Sequence, residues 1–175
     1  MTLRDGSRIR LRPIRPEDQD RLIAFSDRLS QHTSYQRFFS AMRRLPTDWA
    51  HLLANVDYQR RLALLAELGP PEAPELIGVA RYEPTDRPDT AEIAFVIQDG
   101  WQNRGLGRIM LGDLLAAAEA RGVRRFRAYV LASNVRMLDL LKRYTDVQER
   151  RMESGVINIL LARRAGDASA PGPTR

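Results

Sequence analysis

Gln102-Asn103-Arg104-Gly105-Leu106-Gly107 is the stretch on which the reading of this chain turns. It follows an apolar run, Ala91-Glu92-Ile93-Ala94-Phe95-Val96-Ile97, with the composition of a covered strand. It precedes an alanine- and leucine-rich segment, about Gly105 to Arg121, in which Leu106, Met110, Leu114 and Ala117 recur at the helical period. The N–H groups of a helix's first turn have no partner inside the helix, and the macrodipole makes them electropositive. Glycines at 105 and 107 let that backbone approach a ligand with no side chain between. A strand, a glycine turn and a helix start therefore predict a pyrophosphate cradle, with Arg104 and Arg108 adding charge-assisted bonds. A tight turn with close helix packing uses the same glycines, so both readings stand at this point. No Gly-Lys-Ser/Thr follows, which excludes a Walker loop, and a dinucleotide fingerprint lacks its third glycine.

Outward from this segment the chain reads as one mixed α/β domain. Toward the N-terminus, Ser7 to Arg12 alternates as a strand, Pro16-Glu17-Asp18 opens a helix through Leu29, and helical patches follow at Ser34–Met42 and Thr47–Asn55, with Thr47 and Asp48 as caps. Arg61–Glu67 and Leu76–Tyr82 read as strands around the turn Gly69-Pro70-Pro71. Toward the C-terminus, Gly122 stops the long helix, Arg125–Leu131 is a strand, Asn134–Arg143 a short helix, and Asp146–Met152 with Val156–Leu161 a closing pair. The domain is expected over 1–165, with a disordered tail over 166–175.

Composition narrows the chemistry. The 175 residues include no cysteine, which removes disulfides, thiol nucleophiles and cysteine–metal sites. Of 28 basic side chains only Lys142 is a lysine, against 22 acids, a net charge of +6. That arginine excess first suggests a nucleic-acid or phosphate binder, yet no recognition element accompanies it, and a solvated surface explains most of it. No apolar run nears the ~20 residues that span a bilayer. Met1-Thr2-Leu3-Arg4-Asp5-Gly6 carries no signal-peptide core, so a cytoplasmic protein is expected. His32 and His51 lack companions for a metal site, and none is expected. No Gly-x-Ser-x-Gly is present, which argues against a hydrolase triad. Trp49, Trp101, Tyr35 and Phe38-Phe39 read as packing residues.

Gln102, Gly105 and Gly107 match Gln/Arg-x-x-Gly-x-Gly/Ala, and the run resembles the acetyl-CoA pyrophosphate motif of the GNAT N-acetyltransferase superfamily. The likeness in element order covers Arg10 to about Leu161. Arg12-Pro13-Ile14-Arg15-Pro16-Glu17-Asp18, Tyr35-Gln36-Arg37-Phe38-Phe39-Ser40 and Ala91-Glu92 are similar to the bacterial protein-lysine acetyltransferase (Pat-like) branch. The resemblance implies a GNAT fold: a mixed, mostly antiparallel sheet of six to seven strands, splayed at its central strands and flanked by about four helices. It implies acetyl-CoA as co-substrate, with Phe95, Val96 and Ile97 along its pantetheine arm. Gln102, Asn103, Arg104, Gly105, Leu106, Gly107 and Arg108 would lie around its pyrophosphate, Asn134 would orient it, and a backbone N–H near Val96 would serve the oxyanion. As a helix N-cap, Asn134 needs no ligand, and the two roles are compatible.

By the same resemblance Glu92 is the catalytic base and Tyr35 borders the acceptor. An amine near pKa ~10.4 must lose a proton as it attacks, and a glutamate in an apolar strand has its pKa raised toward use. A solvent-facing or arginine-paired Glu92 is the competing reading. Many superfamily members carry a proton-donating tyrosine where this chain has Leu141, and Tyr144, three residues on, is expected on a different face. The implied activity is direct transfer to a primary amine, a protein lysine such as that of an acyl-CoA synthetase being the favoured acceptor. The protein is expected to be a monomer or homodimer. A small-amine acetyltransferase and a catalytically weak acyl-CoA sensor are the alternatives.

Overall fold

The computed structural model describes residues 1–164, so the tail expected over 166–175 lies outside the described residues. A seven-stranded sheet forms the centre, in the order β1-β2-β3-β4-β5-β7-β6. Its strands are β1 (Ile9–Pro13), β2 (Leu62–Leu68), β3 (Glu75–Pro84), β4 (Thr90–Ile97), β5 (Arg125–Leu131), β6 (Thr145–Glu153) and β7 (Val156–Arg163). All neighbours are antiparallel except β4 and β5. Among the described residues five α-helices, one for each helical segment read from the sequence, accompany it: α1 (Gln19–Asp27), α2 (Gln31–Phe38), α3 (Thr47–Ala54), α4 (Leu106–Glu119) and α5 (Val135–Tyr144).

Both faces of the sheet are covered, which is why β2 reads as a continuous apolar run and is buried over Leu62–Glu67. One core gathers Leu64, Ile77, Tyr82, Ile93 and Phe95 against Met110, Leu111, Leu114 and Leu115 of α4. The other packs Ala63, Leu65, Val79 and Val96 against Leu22, Phe25 and Ala50 of the α1–α3 side. Alternation along β4 thus sends Ala91, Ile93 and Phe95 to the α4 face and Val96 to the opposite one.

Helix boundaries depart from expectation where capping decides them. The helical patch expected at Ser34–Met42 is α2, which begins three residues earlier because the Ser30 side chain accepts from Thr33 N–H. It ends at Phe39, which takes a left-handed φ of 55°. Thr47 and Asp48 are inside the first turn of α3 rather than caps; Pro46 holds the cap position. Trp49, Tyr35 and Phe39 are exposed, contrary to the expected packing role, because each lies on the outer side of its short helix or at its end. Both histidines are exposed.

The β1–β2 edge is tied to α1 by a charge cluster. Glu67, buried in β2, accepts from Arg10, Arg12 and Arg21, and Arg12 forks onto Asp18 with two 2.7 Å bonds. Among the described residues no helix is long and apolar enough to cross a membrane.

Candidate functional site

β4 and β5 pair at only three positions, Thr90↔Arg125, Ala91↔Phe126 and Glu92↔Arg127. Beyond them each strand keeps its other neighbour: β4 stays on β3 as far as Ile97↔Gly78, and β5 stays on β7 as far as Leu131↔Val156. The two strands therefore part after Glu92, and the edge of residues 93–97 that faces β5 has no strand partner. Such an edge offers backbone donors and acceptors to an extended, amide-bearing ligand. Two adjoining cavities occupy the opening. A small one of about 40 Å³ lies between Ile93, Ala94 and Phe95 of β4 and Ala128, Tyr129 and Val130 of β5. A cleft of about 830 Å³ runs from Phe95, Val96 and Ile97 past the start of α4 to the N-terminal residues Met1–Arg4.

The start of α4 is shaped by the preceding turn. Asp99 accepts from Ser30 N–H at 3.0 Å, Ser30 Oγ at 2.6 Å and Thr33 Oγ1 at 2.8 Å, which fixes the turn to α2. Burial pushes its carboxyl up, but the Ser30 and Thr33 bonds outweigh that and hold it below the usual range. Gln102 Nε2 donates to Ile97 O at 3.0 Å and to Thr33 Oγ1 at 3.2 Å, while its Oε1 accepts from Arg136 at 3.0 Å. The Gln102 carboxamide is thereby engaged in tying strand, turn and α5 together. Asn103 (φ 61°) and Gly105 (φ 90°) then turn the chain left-handedly into α4.

The amides of Leu106, Gly107 and Arg108 precede the helical ladder and face the cleft end of α4. No acid sits in this first turn, whereas Arg108, a cation unfavourable to the helix dipole, does. That arrangement suits a bound anion. Gly107 also answers to packing, since a Cβ there would lie 3.3 Å from Leu140 and 3.5 Å from Ile97. Cradle and close packing are met by one glycine.

Phe95, Val96, Ile97, Gln102, Asn103, Arg104, Gly105, Gly107, Arg108 and Asn134 all line the cleft. Leu106 does not; its side chain is buried in the α4 core, and only its backbone faces the ligand side. Arg104 is held by Asp5 at 2.7 Å and stacks over Trp101, 4.7 Å from the ring centre. Arg108 stacks over Tyr144 at 5.0 Å. Asn134 accepts from Met137 N–H as the cap of α5 and also lines both cavities. Leu141 is buried against the small cavity, whereas Tyr144 lines the large cleft.

Tyr35 is exposed on α2 and lines neither cavity, while Thr33, Gln36 and Arg37 of the same helix line the large cleft or both cavities. Glu92 is exposed at the last β4–β5 pair, on the same side of β4 as Ala94, and like Tyr35 lines neither cavity. Partial burial raises its pKa; Arg37 and Arg127 pull it down and Glu83, opposite on β3, pushes it up, and the balance stays above the ordinary value. Among the described residues no group of three or more acids or histidines is disposed to hold a metal.

Several residues at the site carry no local sequence signal. Arg136 bonds the turn from α5, and Met1–Arg4 wall the cleft because Leu3 is buried and Asp5 anchors Arg104. The Arg104–Asp5 contact spans 99 positions, beyond any periodicity. Arg37, within Tyr35-Gln36-Arg37-Phe38-Phe39-Ser40, lines both cavities.

Known proteins agree with this geometry. Acetyltransferase PA5475 of Pseudomonas aeruginosa is 30% identical over 139 residues, 79% of this chain and 75% of that protein. Acetyltransferase Pat of Mycolicibacterium smegmatis is 33% identical over 159 residues, 89% of this chain but only 46% of the longer relative. The crystal structure of the GNAT domain of S. lividans PAT superposes with a TM-score of 0.83 at 33% identity, covering 93% of this chain and 94% of that one. A structure of yncA from Salmonella typhimurium with acetyl-CoA shares the fold, with a TM-score of 0.68 at 15% identity over 95% and 99% of the two chains. With residues 8–144 matching the acetyltransferase (GNAT) domain, a parted β4–β5 pair and a glycine turn opening α4, the chain belongs to the GNAT acetyltransferase family.

Proposed function

We propose that this chain transfers acetyl from acetyl-CoA directly to a primary amine, with a protein lysine as the acceptor class and Glu92 as the base. The observation that carries the proposal is the opening between β4 and β5: its free strand edge leads to the start of α4 at one end and to Glu92 at the other. The likeness to the protein-lysine branch supports the acceptor class.

The co-substrate, when bound, supplies an activated acyl carbonyl on a thiol leaving group. The free edge of 93–97 suits its amide-bearing arm, and the α4 amides with Arg108 suit its phosphates. Glu92, with its raised pKa, receives the proton that the amine loses as its C–N bond forms, directly or through one water. Leu141 has no proton to give, so solvent protonates the departing thiolate; a thiol of pKa ~8.5 leaves readily enough for that. A cysteine-free chain excludes an acetyl-thiol enzyme, in keeping with direct attack within a ternary complex.

The test is CoA release over a panel of lysine-bearing proteins and small amines, with mass spectrometry of the product. Acetylated lysine is expected. Calorimetric acetyl-CoA binding with no turnover on any amine would replace the proposal with an acyl-CoA sensor, a reading that the apolar Leu141 favours.

A further inference from the structure

The guanidinium of Arg37 stands at the junction of the two cavities, on the inner side of α2, and lines both. Among the described residues it makes no hydrogen bond and no ion pair; it lies over the ring of Phe38, 4.9 Å from the ring centre. Its neighbours are committed elsewhere. Glu83 is shared by Arg61 and Arg81 at 2.5 and 2.6 Å. Glu92, the base of the proposed reaction, acts on Arg37 from beyond ion-pair distance. Burial lowers the Arg37 pKa to about 10, Arg81 adding to that and the two glutamates opposing it, so the cation persists at neutral pH. Five N–H donors in a rigid fork, facing the cavities with no protein acceptor among the described residues, fit a planar oxyanion.

The small cavity says which reactant brings that oxyanion. It lies beside residues 93–95 of β4, and Arg37 acts on Glu92 at that end of the free edge. The phosphates of the co-substrate, in the reading above, lie at the other end, at the start of α4. The anion that Arg37 faces is therefore assigned to the acceptor side.

We propose that Arg37 is a specificity residue that binds a carboxylate of the acceptor while the acceptor's amine lies at Glu92. The inference rests on the amine-acetylation reading above and names its substrate class: amines carrying a nearby carboxylate, whether a free amino acid or a lysine flanked by an acidic residue.

The experiment pairs acceptors that differ in that group alone: Nα-acetyl-lysine against Nα-acetyl-lysinamide, and the peptides acetyl-Asp-Lys-amide against acetyl-Asn-Lys-amide. Full-length protein is expected to favour the carboxylate member of at least one pair about tenfold or more in kcat/KM, through KM. Preference in the first pair identifies a free amino acid, and in the second an acidic peptide. Arg37→Gln should bring the ratio near one and Arg37→Lys should keep part of it, while Arg127→Gln, which removes another cation near Glu92, keeps the ratio. Equal rates for both members in the wild type, or a ratio that survives Arg37→Gln, overturns the inference and leaves amine acetylation standing. Should no amine turn over, NMR titration of the Arg37 Nε–H resonance with Nα,Nε-diacetyl-lysine and its amide decides the matter. A shift with the carboxylate alone supports the site, and no shift with either overturns it.

Discussion

Glu92 occupies the last position at which β4 and β5 still pair; partial burial of its carboxyl, with Glu83 opposite, raises its pKa. A base must be ionised, so activity is lost as pH falls through that raised value. The acidic limb of kcat is expected above the ordinary carboxyl range of about 4.3 and is expected to vanish in Glu92→Gln. A limb at or below the ordinary value would assign it to another group. At this scale the sequence was informative about residue type and poor about aim. The place of Glu92 in β4 and of Asn134 at the cap of α5 was recognisable because strand pattern and cap pattern are local. The diversion of Arg104 to Asp5, and the lack of a partner for Arg37 among the described residues, depend on contacts far apart in the chain.

The decisive element is the turn into α4. Arg108→Glu separates its two duties, because an acid in the first turn suits the helix dipole while opposing a phosphate. Thermal stability should stay within about 0.5 kcal/mol of wild type. Acetyl-CoA Kd by calorimetry should rise about tenfold or more, on the ~1.5–3 kcal/mol typical of a bond to a charged group. Unchanged affinity would remove the α4 start from the phosphate assignment. Gly107→Glu should abolish acetyl-CoA binding as well. Its Cβ would sit 3.3 Å from Leu140, so a melting curve must accompany the titration. Strand–turn–helix order was legible here since glycine spacing and the helical period both mark it. The limits of α2 were not, because Ser30 and Phe39 set them through one side-chain cap and one left-handed residue.

Across the whole molecule, the site depends on a sheet buttressed far from it. Glu67 is buried, which pushes its carboxyl up, yet the bonds from Arg12, Arg21 and Arg10 hold it down at about 2; Asp18 is held at about 2 by Arg12 and the Arg15 amide against the same burial. Their folded values lie below the ordinary ~3.9–4.3, so the stability they contribute is full above that range and lost as pH falls from about 4.5 toward 2. Glu67→Gln should cost about 2–3 kcal/mol at neutral pH, a fall of about 4–12 °C in Tm, and should flatten the acid end of the stability curve. An unaltered Tm would show that the arginines find other partners. The alternating and continuous apolar runs made the layered sheet readable, but nothing local showed that three arginines would converge on one buried acid.

The most direct measurement is kcat for CoA release at saturating acetyl-CoA and amine, wild type against Glu92→Gln, with the acetylated product verified by mass. A fall of about 10²- to 10⁴-fold with acetyl-CoA Kd nearly unchanged is the predicted result; equal turnover at neutral pH would contradict a base-assisted direct transfer at this site.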